Sequence, residues 1–291
     1  GVYKTAKERG FDKVYGMLHG VQGLLDEQYV DLSTQIHSDI DIELLKRTPS
    51  AFLGSCRYKL PEDLSDPVYP ELFKKFEELN IGYFFYCGGN DSMDTIKQLS
   101  DYAAANGKSQ RFMGVPKTID NDLPITDHTP GFGRAAKYIA TSVKEVICDG
   151  RGFANTPMVT IIEIMGRNAG WLTAAAALAK TEDCEGVDLI YLPEVAFDTK
   201  EFVEEVRELM KKKSTVFVAI SEGIRTADGT YISEMGGGSD YVDAFGHKQL
   251  AGSATYLANL VGSELGCKTR GIEFSTLQRC ASHMASLTDI N

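Results

Sequence analysis

The residues of this chain that could do chemistry come in clusters rather than singly. The first cluster is Gly88-Gly89-Asn90-Asp91-Ser92. It follows an apolar run at 81–85 and precedes a helical pattern through Ile96, Leu99 and Tyr102. A strand, a glycine turn and a helix start are thus expected in succession. Two glycines let the backbone approach a bound group closely, and a helix start presents unpaired N–H groups to an anion. Such a unit suits phosphate oxygens, and its polar side chains could hold a metal on them. The second cluster is Lys117-Thr118-Ile119-Asp120-Asn121-Asp122, which follows the apolar pair Phe112-Met113. A lysine, a hydroxyl and two carboxylates crowd together there. Either cluster alone also fits an ordinary solvated turn. Two such loops after consecutive strands point instead to one crevice at the carboxyl edge of a parallel sheet.

These motifs carry a resemblance. Gly-Gly-x-Asp-Ser, Pro116-Lys117-Thr118-Ile119-Asp120-Asn121-Asp122, Met165-Gly166-Arg167 and Leu277-Gln278-Arg279 stand in the order and spacing of the phosphofructokinase family. The resemblance covers nearly the whole chain and is strongest to the pyrophosphate-dependent branch. It implies an α/β fold of two doubly wound, Rossmann-like domains with the active site in the cleft between them. The implied reaction passes a phosphoryl group from pyrophosphate to the 1-hydroxyl of fructose 6-phosphate. The products are fructose 1,6-bisphosphate and phosphate, and the reaction is reversible and Mg²⁺-dependent.

Phosphoryl transfer to a hydroxyl needs a base, a metal on the transferring phosphate, cations on its oxygens, and rigid positioning. By resemblance, Asp120 is the base that takes the sugar hydroxyl proton. Arg167, between an apolar strand and a helix, would stabilise the phosphoryl group in flight. Lys117 completes the catalytic set. The resemblance places Thr118, Ile119, Asp122, Met165, Gly166 and Glu222 beside the sugar. Arg270 and Arg279 match two family arginines that grip the 6-phosphate, for which guanidinium forks are suited. In relatives one of these comes from a neighbouring subunit, so a homo-oligomer, dimer or tetramer, is implied. Gly88, Gly89, Asp91 and Ser92 fall on the donor side, with Asn90 at the metal.

Two positions bear on the donor. ATP-using relatives usually carry glycine at the places of Asp91 and Lys117. Here an aspartate would crowd and repel a nucleotide's α-phosphate, and a lysine can neutralise charge on pyrophosphate. Three positions depart from the family pattern. Asn90 stands where many relatives have a Mg²⁺-associated aspartate, Met158 where an arginine is common, and Thr276 where a histidine is common. The competing readings are an ATP-dependent 6-phosphofructokinase and a non-catalytic regulatory homologue that binds sugar phosphate.

The elements that must position these residues alternate along the chain. Strands are expected at 13–18, 81–85, 111–115, 158–164, 189–192, 215–220 and 267–273. Helices are expected at 69–79, 94–105, 134–148, 169–179, 200–212, 249–265 and from 278 onward. The βαβα order predicts parallel strands with helices on both faces. A turn-rich stretch, Asp127-His128-Thr129-Pro130-Gly131, suggests a donor-side domain over 1–125 and a sugar-phosphate domain over 126–291. The start, Gly1-Val2-Tyr3-Lys4, reads as mid-helix without a cap. The family carries a first strand and phosphate loop before such a helix and continues beyond this C-terminus, so a shortened chain is expected.

The length of 291 residues makes two domains natural. A net charge of −11 argues against nucleic acid or an anionic membrane as partner. No apolar run approaches the roughly 20 residues of a membrane span. Six cysteines without a Cys-x-x-Cys pair read as reduced core thiols, and a cytoplasmic location is expected.

Overall fold

The computed structural model describes residues 1–48, 50–153, 155–236 and 252–290. They form two compact units, one of Gly1–Lys117 and one of the described residues from Thr118 onward. The division therefore falls inside the second motif rather than near residue 125. The backbone shows why. Lys117 N donates to Gly88 O at 2.8 Å and so prolongs the pairing of the first unit. Ile119, two residues on, packs into the core of the second unit.

The first unit runs α1 (Val2–Glu8), β1 (Tyr15–Met17), α2 (Val21–Leu25), β2 (Tyr29–Asp31), α3 (Asp39–Arg47), α4 (Val68–Glu78), β3 (Tyr83–Gly88), α5 (Asn90–Ala105) and β4 (Arg111–Pro116). β1 and β2 pair antiparallel, a ribbon that the sequence reading does not anticipate. α2 follows β1 after only three residues. Gly23 lies so close to Leu18 that a Cβ would stand 1.6 Å from its carbonyl oxygen, and Gln28 N donates to Gly23 O. These contacts fold the chain back on itself.

β3 and β4 pair parallel, joined by α5. Tyr69, Leu72, Phe73 and Phe76 form one stripe of α4, the i, i+3, i+4, i+7 spacing of an amphipathic helix. They pack with Phe84, Leu99 and Ala103. Helices are expected on both faces of this sheet, yet the alternation of β3 buries one face only. Tyr83, Phe85, Met113 and Val115 on the other face are exposed, and Phe11 meets Tyr83 edge-on at 5.3 Å.

The second unit runs α6 (Phe132–Arg151), β5 (Met158–Ile164), α7 (Trp171–Ala174), β6 (Leu189–Tyr191), α8 (Thr199–Met210), β7 (Thr215–Ser221), α9 (Ile232–Met235), α10 (Ser253–Leu265), β8 (Lys268–Glu273), α11 (Leu277–Cys280) and α12 (Leu287–Ile290). The first part of the helix expected at 249–265, residues 249–251, lies outside the described residues. The sheet is parallel in the order β6-β7-β5-β8. Every residue of β5 is buried, as a central strand covered on both faces requires. Val159 and Ile161 face Phe202, Val206, Leu257 and Val261 of α8 and α10. Ile162 and Ile164 face Ala135, Ile139, Val143 and Ile147 of α6. This unit is doubly wound.

The helix expected at 169–179 is one α-turn, α7, followed by a 3₁₀ stretch at Ala175–Ala179. Its alanines let α6 approach, and Ala175, Ala176 and Ala179 are buried against it. The cysteines are all free, but Cys87, Cys148 and Cys280 are exposed, so the expectation of six core thiols is corrected. Cys87 lies on the exposed face of β3, Cys148 on the outer side of α6 and Cys280 at the end of α11. No helix among the described residues is long and apolar enough to cross a membrane.

Candidate active site

The order of the second sheet locates the crevice. From β5 the chain leaves through α7 to β6, on the face covered by α6. From β7 it leaves through α10, on the opposite face, and passes β5 to reach β8. The loops after β5 and β7 thus diverge to opposite faces, and such a switch point opens a crevice at the carboxyl ends of the strands. Met165, Gly166 and Arg167 follow β5, and Glu222 follows β7.

Hydrogen bonds hold these ends together. Gly166 N donates to Glu222 Oε1 at 3.3 Å. The hydroxyl of the buried Ser221 donates to Gly166 O at 2.5 Å and accepts from Gly223 N at 3.1 Å. Gly166 has φ +136°, and a Cβ there would stand 2.4 Å from Ala169 O. A Cβ on Gly223 would stand 1.9 Å from Arg167 O. Both glycines are required by close backbone approach.

Glu222 reports which charges share this crevice. Burial pushes its carboxyl up, the Gly166 N–H pulls it down, Asp120 raises it, and Arg167 and Arg279 lower it. The structure therefore brings together Asp120, Arg167, Glu222 and Arg279 from four separate stretches of chain. Asp120 is held by its loop: its N–H donates to Thr118 Oγ1 at 3.0 Å. The next residue, Asn121, adopts φ +57° and accepts from Thr129 N at 2.9 Å. Asp122 is exposed on this loop, and Ile119 packs under it against the α6 core.

Arg270 is not part of this group. It lies within β8, opposite Thr160, three residues before the strand's carboxyl end. Its guanidinium meets Asp149 at 3.7 Å and lies over the Phe153 ring at 5.7 Å.

The first unit presents the other cluster. Gly88 ends β3, Gly89 is the N-cap of α5, and Asn90, Asp91 and Ser92 form the first helical turn. A Cβ on Gly88 would stand 2.0 Å from Ser92 Oγ, so the turn closes only with glycine there. No side chain caps the helix among the described residues. Its first N–H groups and the exposed Lys117 offer positive charge to an anion.

Ser221, Gly223, Gln278 and Glu163 have no role assigned by the resemblance, yet each is placed at these strand ends. The triplet Ser221-Glu222-Gly223 and the glutamate inside an otherwise apolar β5 were the available signals. Glu163 is 5% exposed and accepts from Ala254 N at 2.9 Å, at the start of α10. Burial pushes its carboxyl from an ordinary 4.5 up to about 7, helped by Glu273 and Glu222 and opposed by the N–H groups of Ala254 and Gly252. Its folded-state value lies above its unfolded one. Its contribution to stability is then full below pH 4.5 and is lost as pH rises through about 7. Replacing it by the uncharged amide, Glu163→Gln, should flatten the decline of thermal stability between pH 5 and 8. The difference should reach at most about 3 kcal/mol. Unfolding curves of both proteins across that range provide the check.

The family model for phosphofructokinase matches residues 1–272. The chain belongs to the phosphofructokinase family. Among curated relatives, the pyrophosphate–fructose 6-phosphate 1-phosphotransferase of Halomonas elongata is 42% identical over 96% of this chain and 66% of its own length. The enzyme of that name from Xanthomonas campestris is 43% identical over 99% of this chain and 68% of its own length. The solved structure of the pyrophosphate-dependent phosphofructokinase of Nitrosospira multiformis superposes with a TM-score of 0.83 at 37% identity, covering 99% of this chain and 67% of that one. The chain thus spans about two thirds of the length of the phosphofructokinases it matches.

Proposed function

We propose that this phosphofructokinase chain transfers a phosphoryl group from pyrophosphate to the 1-hydroxyl of fructose 6-phosphate in the cytoplasm. The observation that carries this reading is the grouping of Asp120, Arg167 and Arg279 around the half-buried Glu222. A carboxylate, two guanidiniums and a hydrogen-bond acceptor for sugar hydroxyls are what a phosphorylated sugar alcohol needs in order to react. The names of its relatives support the same donor and acceptor.

Asp120 takes the proton of the 1-hydroxyl as that oxygen bonds to phosphorus. The bond from phosphorus to the bridging oxygen breaks, and its electrons leave with phosphate. Arg167 and Lys117 neutralise the charge that develops on the transferring and departing groups. Glu222, with Met165, Gly166, Thr118, Ile119 and Asp122, orients the sugar. Arg279 binds the 6-phosphate. Arg270, which stands apart on β8, serves the 6-phosphate in a second copy of the chain, so the working enzyme is a homo-oligomer. Gly88, Gly89, Asp91 and Ser92 receive the pyrophosphate.

Mg²⁺ fits the donor residues. Among the described residues no three His, Cys, Asp or Glu side chains could hold a metal by themselves. Mg²⁺ is typically bound by one or two carboxylates with the rest supplied by phosphates and water, and a carboxamide oxygen can take such a place without a charge. The carboxamide of Asn90, in the first turn of α5, would be its protein ligand. When bound, it would screen the charge of the pyrophosphate oxygens.

The experiment follows fructose 1,6-bisphosphate formation by the full chain with Mg²⁺ and either pyrophosphate or ATP. Turnover with pyrophosphate is expected. Turnover with ATP alone would overturn the donor assignment, and binding of fructose 6-phosphate without turnover would make the chain non-catalytic.

A further inference from the structure

Gln278 has no part in the proposed mechanism, although its neighbour Arg279 does, and it is 1% exposed. A buried carboxamide has two donors and an acceptor to satisfy, so its partners deserve an account. They lie where the ladder between β5 and β8 stops. Glu163 is paired with Glu273, and Phe274 N donates to Glu163 O at 3.2 Å. Continued parallel pairing would direct Met165 N to the carbonyl of Phe274. That carbonyl is taken by Leu277 N at 3.0 Å, because the chain turns away at Ser275, which adopts φ +43°. Gln278 Oε1 accepts from Met165 N instead, at 3.1 Å, and Gln278 Nε2 donates to Ser275 O at 3.1 Å. One side chain therefore extends the sheet by a rung and pins the unusual turn that leads to Arg279.

We infer that Gln278 is the positioning residue of the sugar-phosphate site, holding the Met165–Arg167 segment and Arg279 in one frame by bridging Met165 N and Ser275 O. The inference rests on the function proposed above. It touches neither donor nor sugar in that reading and acts through the backbone of residues that do. Glutamine suits the place because both bonds need a planar group with an acceptor beside a donor. Met165 N and Ser275 O would otherwise be left without these partners, and an unmet buried N–H is costly.

The test compares the full chain with Gln278→Met, which keeps length and removes both bonds, and with Gln278→Glu, which keeps the acceptor only. For Gln278→Met the KM for fructose 6-phosphate should rise on the order of tenfold, the size of one lost buried hydrogen bond. The KM for pyrophosphate should stay within about twofold, because the donor residues lie elsewhere in the chain. Gln278→Glu should fall between Gln278→Met and the parent, since Met165 N keeps its acceptor. Fructose 6-phosphate affinity measured by calorimetry should follow the same order, so the test reads out without turnover. An unchanged KM and affinity in Gln278→Met would overturn the inference, as would equal rises in both KM values. Should Gln278→Met fail to fold, Gln278→Glu alone decides by the same ratio of the two KM values. A parent chain that neither turns over nor binds fructose 6-phosphate would instead sink the functional reading itself.

Discussion

Asp120→Asn should lower kcat for phosphoryl transfer about a thousandfold, within the range that a positioned general base contributes. That is roughly 4 kcal/mol of transition-state stabilisation. The substitution preserves size and leaves the bond from the residue 120 N–H to Thr118 Oγ1 intact, since that donor is main chain. The loop should therefore stay in place and the fold stay stable. Removing the carboxylate also removes the neighbour that raises Glu222, so Glu222 should ionise more readily in the variant. Sugar binding should then change only a few-fold, because Glu222, Arg167 and Arg279 remain grouped. Steady-state kinetics in both reaction directions, beside equilibrium binding of fructose 6-phosphate, separate the two effects. A loss of less than tenfold in kcat would mean that another group takes the proton.

The second large effect concerns the donor. Asp91→Gly/Lys117→Gly should cut turnover with pyrophosphate at least about a hundredfold, the loss that follows removal of one preorganised charge partner. Asp91 is half-buried in the first turn of α5, where its carboxylate interacts favourably with the helix N-terminus. An incoming phosphate would compete for the same positive end of the helix. Lys117 is held by its main chain to Gly88, so the residue stands at the end of β4 next to the glycine turn. Removing both side chains opens space and deletes a cation together. Turnover with ATP should appear or increase as that with pyrophosphate falls. Measuring both donors on the single and double variants shows which residue sets the choice. If pyrophosphate turnover survives in the double variant, the donor is selected elsewhere in the chain.

The sequence by itself determined the local chemistry. The strand, glycine turn and helix of residues 83–105 were legible because apolar periodicity and turn residues are local signals. So was β5, whose short β-branched run, interrupted by Thr160 and Glu163, reads as a strand. The helix of residues 90–105 nevertheless begins four residues earlier than the expected 94, since Gly89 rather than a polar side chain serves as its N-cap. The resemblance implies one reaction for Asp120, Arg167, Glu222 and Arg279, and the charges of Asp120, Arg167 and Arg279 all act on Glu222.

Only the tertiary structure decided what depends on distance across the chain. β1 was legible as the strand expected at 13–18, but its antiparallel partner β2 is three residues with little apolar pattern, too weak to read. Which of Arg270 and Arg279 stands with Glu222 could not be inferred from their shared expected role, because a residue within a strand and one beyond its end point to different places. The burial of Glu163 and Gln278 was equally hidden. Their charge and polarity resemble those of surface residues, and their partners, Ala254 N for one and Met165 N for the other, are far away in sequence. A polar side chain is held inside a protein by whichever backbone groups the fold leaves unpaired, and that is known only once the strands have found their neighbours.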